Sequence, residues 1–305
     1  MRLTVTEQDD GLTVKEFLAA RLDLSSKMLK YLKYRPDGIL QNGVRVTVRS
    51  RLRQGDILTL GIRDVQNPPH LDPVDLPLEI LYEDEELVVP SKPADMPTHP
   101  SHDHWRDTVA NALAFRYASA EIPFVFRPIN RLDRDTSGLL LVARNKLSAG
   151  RLTRFLQAGK IQKTYLAIVE GSDIPSEGKI EKPLHRSRDS VIVREVCDLG
   201  DPGAEPALTL YKTLARGNDC ALVEAHPVTG RTHQLRVHFA SIGHPLAGDT
   251  LYGLQNGRTE RQALHAYRLS FPHPSTGKIL SLTAPLPSDF RAWVDRFFPN
   301  GQIEI

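Results

Sequence analysis

The chain is 305 residues long, 40% hydrophobic and 25% charged, the makeup of an ordinary water-soluble protein with room for one large domain and one small one. A net charge of +2 names no partner. No stretch approaches the roughly 20 apolar residues of a membrane span, and MRLTVTEQDDG has no apolar signal core, so a soluble, cytoplasmic protein without a membrane partner is expected.

Residues 1–62 read as a small basic unit of helix and strand. Helical patterns run through LTVKEFLAARL and SSKMLKYLK, and Asn42-Gly43 between apolar-alternating flanks predicts a hairpin. Lys27, Lys30 and Lys33 share one helical face while Met28, Leu29 and Leu32 turn elsewhere. Three lysines alone describe a solvated face. Arg35, Arg45, Arg49, Arg51 and Arg53 follow them, with Asp37 the lone acid between Ser26 and Arg53, and together they suit a polyanion. Residues 63–75 break every periodic pattern with prolines and acids and read as a linker.

From residue 76 to 305, strand patterns dominate in EILYEDEELVVP, GLLLVAR, KTYLAIVEG, SVIVREV, ALTLYKTLA and CALVEAHPV. Helical patterns interrupt them in DTVANALAFRYASA and KLSAGRLTRFLQAG. With no regular βαβ alternation and no repeat, this predicts an α+β domain on a mixed, largely antiparallel sheet. Cys197 and Cys220 lack the paired spacing of a disulfide framework or a zinc ribbon and point to a reducing compartment.

Four stretches join turn residues to charge: SKPADMPTHPSHDHW, INRLDRDTSGLLLVAR, GKIQKTYLAIVEG and HPVTGRTHQLRVHFASIGHPLAGDTLYG. In the second, Asp133 and Asp135 stand at the mouth of the apolar run LLLV, where partial desolvation demands a neighbouring arginine. Asp133 then has two readings: part of an Arg-Asp turn capped by Thr136 and Ser137, or a reacting carboxylate. TGRTHQLRVH shifts the balance by supplying Arg231 and Arg236, either of which can pair with an acid from a distant strand. His99, His102 and His104, like His233, His238 and His244, match no zinc spacing, so no metal is expected. No phosphate-binding glycine loop occurs, no nucleotide cofactor is implied, and Ser137 has no nucleophile elbow around it.

NRLDRDTSGLLL resembles the H-R-L-D-x-x-T-S-G signature of the RluA-type RNA pseudouridine synthases, and TGRTHQLRVHFASIGHPLAGDTLYG resembles their second signature. ILYEDEELVVPSKPADMPTHP, KTYLAIVEG, ALHAYRLSFPHPSTGK and TAPLP extend the resemblance over roughly residues 76–298. VKEFLAARLDLSSKMLKYLK, ILQNGVRV and RQGDILTL are similar to the small α/β RNA-binding domain of S-four type that precedes many such enzymes. Asn130 stands where the family usually has His, Pro90-Ser91 where an Asn is common, and Asp95 in place of Gly.

The resemblance implies a cofactor-free isomerisation of uridine to pseudouridine by a monomer. Its partner is RNA, ribosomal large-subunit RNA first and tRNA second. Asp133 falls on the catalytic position, Arg231 on the residue that pairs with that acid, and Tyr165 on the aromatic that stacks on the target base. Arg131 falls on the residue that fills the space of the flipped base, Leu264 on one packed against the site, and Lys27, Lys30 and Lys33 on the RNA-binding face. Two rivals remain at this point: a non-catalytic RNA-binding protein, and a glycoside hydrolase using Asp133 and Asp135 about 7 Å apart on a strand.

Overall fold

The computed structural model describes residues 1–22, 24, 26–254 and 257–299. Ser25, where the second predicted helix begins, and residues 300–305, at the end of the larger predicted domain, lie outside the described residues.

The N-terminal unit opens with β1 (Arg2–Thr4) and α1 (Val14–Leu22). Thr13 and Glu16 start that helix reciprocally: the Thr13 N–H donates to Glu16 Oε2 at 2.8 Å and the Glu16 N–H to Thr13 Oγ1 at 3.3 Å. After α2 (Ser26–Tyr34), strands β2 (Ile39–Gln41) and β3 (Val44–Arg45) are joined by Asn42 and Gly43. Both turn residues have positive φ, 52° and 83°, as a two-residue turn with the twist of a hairpin requires. β4 (Ile57–Leu60) completes an antiparallel sheet in the order β1-β4-β2-β3. Val14, Phe17 and Leu18 of α1 and Met28 and Leu32 of α2 recur at helical spacing, and both helices bury them against Ile39, Leu58 and Leu60. Lys27, Lys30 and Lys33 occupy the opposite, exposed side of α2.

Residues 63–75 carry no helix or strand, yet they are strapped to the larger unit. Asp64 takes both terminal nitrogens of Arg127, at 2.6 and 2.7 Å, Asn67 accepts the Phe124 N–H at 2.9 Å, and Asn111 donates to the Asp72 carbonyl at 2.8 Å.

The larger unit runs through β5 (Glu79–Glu83), β6 (Leu87–Lys92), α3 (Val109–Ser119), β7 (Ser137–Leu139), β8 (Val142–Ala143), α4 (Lys146–Gln157) and β9 (Gln162–Glu170). It continues with β10 (Glu177–Glu181), β11 (Leu184–Arg186), β12 (Arg194–Val196), β13 (Leu208–Gly217), β14 (Cys220–Pro227), α5 (Gln234–Ala240), β15 (Leu264–Pro272), β16 (Ile279–Thr283) and α6 (Ser288–Phe297). One sheet follows the order β10-β13-β14-β9-β15-β7-β6-β5, with β16 added to β15 and β8 to β6, while β11 and β12 pair apart. Among the described residues its pairings are antiparallel except β15 with β7, so the fold is α+β with a mixed, largely antiparallel sheet, as the strand patterns predict. At that parallel contact Gly138 has φ +107°, and a Cβ there would strike the Ala266 backbone, so only glycine fits.

β9 is central and buried on both faces. Tyr165, Ala167 and Val169 point to a core shared with Leu235 and Phe239 of α5, whereas Leu166 and Ile168 meet Phe290, Trp293 and Val294 of α6. That alternation decides which residues of KTYLAIVEG reach the cavity described next. The N-terminal unit rests on α4: Leu147 joins its apolar cluster, Arg151 donates to the Leu22 carbonyl at 3.1 Å, and the Lys146 ammonium stands 3.6 Å from the centre of the Tyr31 ring. No described helix is long and apolar enough to cross a membrane.

Candidate active site

The segment carrying Asp133 is a loop leading into β7, and its four consecutive carbonyls are each held from a different direction. Thr98 Oγ1 donates to Leu132 O at 2.9 Å, the Thr136 N–H to Asp133 O at 3.1 Å, Lys92 Nζ to Arg134 O at 2.7 Å, and Arg261 Nη1 to Asp135 O at 2.8 Å. Lys92 also donates to the carbonyls of Pro93 and Met96, tying KPADMP to the same loop. Burial lowers its ammonium to about 7. The Asp133 backbone is thereby fixed while its carboxylate stays 22% exposed, open to a cavity of about 580 Å³.

Arg236 of α5 stands at that carboxylate, with Nη1 3.4 Å from Asp133 Oδ2. Its guanidinium is committed first to buried Asp249, with Nε–Oδ2 2.7 Å and Nη2–Oδ1 2.8 Å, a two-pronged pairing that sets its plane. Asp249 in turn accepts the N–H groups of Leu251 and Tyr252. Burial acts to lower Arg236, but the Asp249 and Asp133 carboxylates outweigh it and raise the group above its ordinary value, so it is a fixed cation. His233 caps α5 in the left-handed conformation, φ 57°, and brings Nε2 to 3.9 Å from Asp133. Tyr252 Oη accepts the Arg194 N–H at 2.8 Å and lies 2.9 Å from His233 Nδ1; donation to Nδ1 assigns the proton of the neutral ring to Nε2, the atom facing Asp133. Burial pushes His233 below its ordinary value against the pull of Asp133.

Tyr165 and Leu264 form apolar wall, 8% and 4% exposed, with Leu264 opposite Ala167 in the β15–β9 register. Burial and then the Asp133 charge push the Tyr165 phenol up, so it keeps its proton near neutral pH. Arg131 lies exposed on the lining, and Asp133, Tyr165, Arg131, Leu264 and Arg231 thus surround one cavity. Lys27, Lys30 and Lys33 are not part of it.

The pairing expected of Arg231 is corrected. Its Nη1 meets Glu205 at 2.8 Å and its Nε donates to Pro206 O at 3.0 Å, and Arg236 takes the place beside Asp133. His233 in the left-handed conformation separates the two arginines: both line the cavity, but Arg231 lies in the turn before it and Arg236 on α5 after it, at the Asp133 carboxylate. Asp249, His233 and Tyr252 are further site residues that the spacing arguments miss, although Asp249 and Tyr252 both lie in GDTLYG. Asp135 bonds Arg134 at 3.2 Å and is absent from the lining, which removes the second carboxylate that a glycosidase pair needs. Asn130, at the head of the loop, accepts the Leu141 N–H at 2.8 Å and donates to Leu139 O at 3.4 Å, a strand-like clasp between β7 and β8. Among the described residues no three His, Cys, Asp or Glu side chains are grouped to hold a metal ion.

The family described as RNA pseudouridylate synthase matches residues 86–241. An uncharacterized RNA pseudouridine synthase, YjbO of Bacillus subtilis, is 37% identical over 278 residues, 91% of this chain and 96% of that protein. Ribosomal large subunit pseudouridine synthase D of Zymomonas mobilis is 37% identical over 308 residues, 95% of each. Among solved structures, human RNA pseudouridylate synthase domain containing 1 superposes with a TM-score of 0.57 at 32% identity, over 69% of this chain and 84% of its own.

Proposed function

The chain belongs to the RluA-type RNA pseudouridine synthases, and we propose that it isomerises uridine in large-subunit ribosomal RNA with Asp133 as the reacting carboxylate. The observation that carries the residue assignment is the Asp133 carboxylate, open to the cavity and set against Arg236 under a wall of Tyr165 and Leu264. The relatives of similar length named for the large ribosomal subunit support the choice of RNA.

The reaction breaks the C1′–N1 bond of uridine, turns the uracil and joins C1′ to C5; the C5 proton leaves and N1 takes one up, so no redox partner is needed. An ionised carboxylate serves each route by which this can begin: attack at C1′, attack on the ring, or removal of a sugar proton. Arg236 supplies the opposite charge, and Asp249 keeps it from following the substrate. The uridine must leave its stack, at a cost of a few kcal/mol. Tyr165 then offers its ring to the extruded base, Leu264 closes the apolar side, and Arg131 at the exposed rim occupies the space left behind.

Lys27, Lys30 and Lys33 hold RNA phosphates as one face of a module of S-four type, supported by their exposure on α2. A monomer suits this reading, because the groups assigned to the reaction, Asp133, Arg236, Tyr165 and Leu264, already meet within one chain. Chemical mapping of pseudouridine in total RNA, with and without this enzyme, tests the target. Loss of a large-subunit site is expected; loss confined to tRNA would overturn the ribosomal assignment.

A further inference from the structure

Lys163 precedes Tyr165 by two positions on β9, so both side chains leave the strand on the same face and line the same cavity. Buried Arg236 and half-buried Arg231 on that wall are matched to acids, Arg236 to Asp249 and Asp133 and Arg231 to Glu205. Half-buried Lys163 has no acid partner among the described residues, and its ammonium makes one long hydrogen bond, 3.5 Å, to the Thr229 carbonyl. Burial lowers its ordinary value with no opposing charge. A desolvated cation beside an open cavity is unfavourable until an anion reaches it.

We propose that Lys163 is a phosphate-binding residue, pairing with an RNA backbone phosphate next to the target uridine. The inference rests on the reading of this cavity as the uridine site. The reaction itself separates phosphate from base as the partner. The uracil detaches and turns, whereas the backbone stays in place, so a fixed ionic anchor belongs on the backbone. A uracil carbonyl, being neutral, would leave the lysine charge uncompensated. Tyr165 meets the base while Lys163, on the same face of the strand, holds the chain that carries it.

The test is the salt dependence of affinity for an unmodified transcript of large-subunit ribosomal RNA, measured for the wild type, Lys163→Met and Lys163→Arg. Lys163→Met is expected to weaken binding about tenfold and to flatten the slope of log affinity against log salt by roughly 0.7 to 0.9, one phosphate contact. Lys163→Arg keeps the slope, and the loss in Lys163→Met falls on KM more than on kcat. Unchanged affinity and slope in Lys163→Met would overturn the proposal, as would a fall in kcat at constant KM, which would put the lysine on the reacting base. Lys163→Gln is read in the same way should the methionine variant fail to fold. Wild-type turnover of the transcript reports separately on the substrate. Without it the ribosomal target falls, and the same titration is made with unmodified tRNA.

Discussion

The Asp133 carboxylate depends on a guanidinium that is itself held by a second acid, Asp249. Arg236 bonds Asp249 at 2.7 and 2.8 Å and Asp133 at 3.4 Å. Arg236→Lys removes the planar fork that satisfies both acids, and single-turnover pseudouridine formation is predicted to slow by about 100-fold. Arg231→Lys, whose partners are Glu205 and a backbone carbonyl, is predicted to stay within about tenfold by the same assay. The reverse ranking would return Arg231 to the acid. Asp249→Asn leaves a buried guanidinium half-paired, and denaturant unfolding is predicted to show a loss of about 3 kcal/mol. Asp133 and Tyr165 are legible through the signatures that NRLDRDTSG and KTYLAIVEG resemble, because the side chains that meet Asp133 in space, Arg236 and His233, lie far along the chain. Arg236 is not distinguishable from Arg231 by spacing, because His233 between them adopts a positive φ, a conformation that is uncommon even for histidine.

At the level of elements, α4 joins the two functional surfaces. Its first turns receive the N-terminal unit through Leu147, Arg151 and Lys146, and its last residues, Leu156 and Gln157, line the cavity. The lysines of α2 face solvent on the other side, so they can be neutralised without disturbing that seam. Replacing Lys27, Lys30 and Lys33 together by Gln is predicted to reduce the salt slope of RNA binding by up to roughly 2 to 3 while melting behaviour stays that of the wild type. An unchanged slope in a filter-binding titration would show that this face does not meet RNA. The helices α1 to α4 and the long strands β9, β13 and β14 could be read from their apolar patterns. β1 and β4 escape such reading because strands of three and four residues are too short to establish alternation. The parallel joining of β7 to β15 escapes it for another reason: residues over a hundred positions apart meet there, and Gly138 marks the contact only once the strands are side by side.

Across the whole molecule, the histidine with the largest stated shift lies away from the catalytic cavity. His265 is 1% exposed, and burial is the main cause that lowers it from 6.5 to about 4. The unfolded chain takes up that proton below pH 6.5 whereas the folded one does so only near pH 4; stability is therefore complete above pH 6.5 and is lost as the pH falls through that window. The width of the window corresponds to about 3 kcal/mol. His233 and His238 are shifted in the same direction and add to the loss. Guanidinium unfolding at about pH 7 and pH 5 should show a smaller acid loss for His265→Leu than for the wild type, by about 2 kcal/mol; equal losses would contradict the assignment. The most direct measurement of the central claim is pseudouridine formation by purified Asp133→Asn on an unmodified large-subunit ribosomal RNA transcript, with RNA affinity measured on the same sample. The account predicts that turnover falls by roughly 10⁴-fold with affinity close to that of the wild type. Turnover retained in a variant that carries no carboxylate at residue 133 would contradict it.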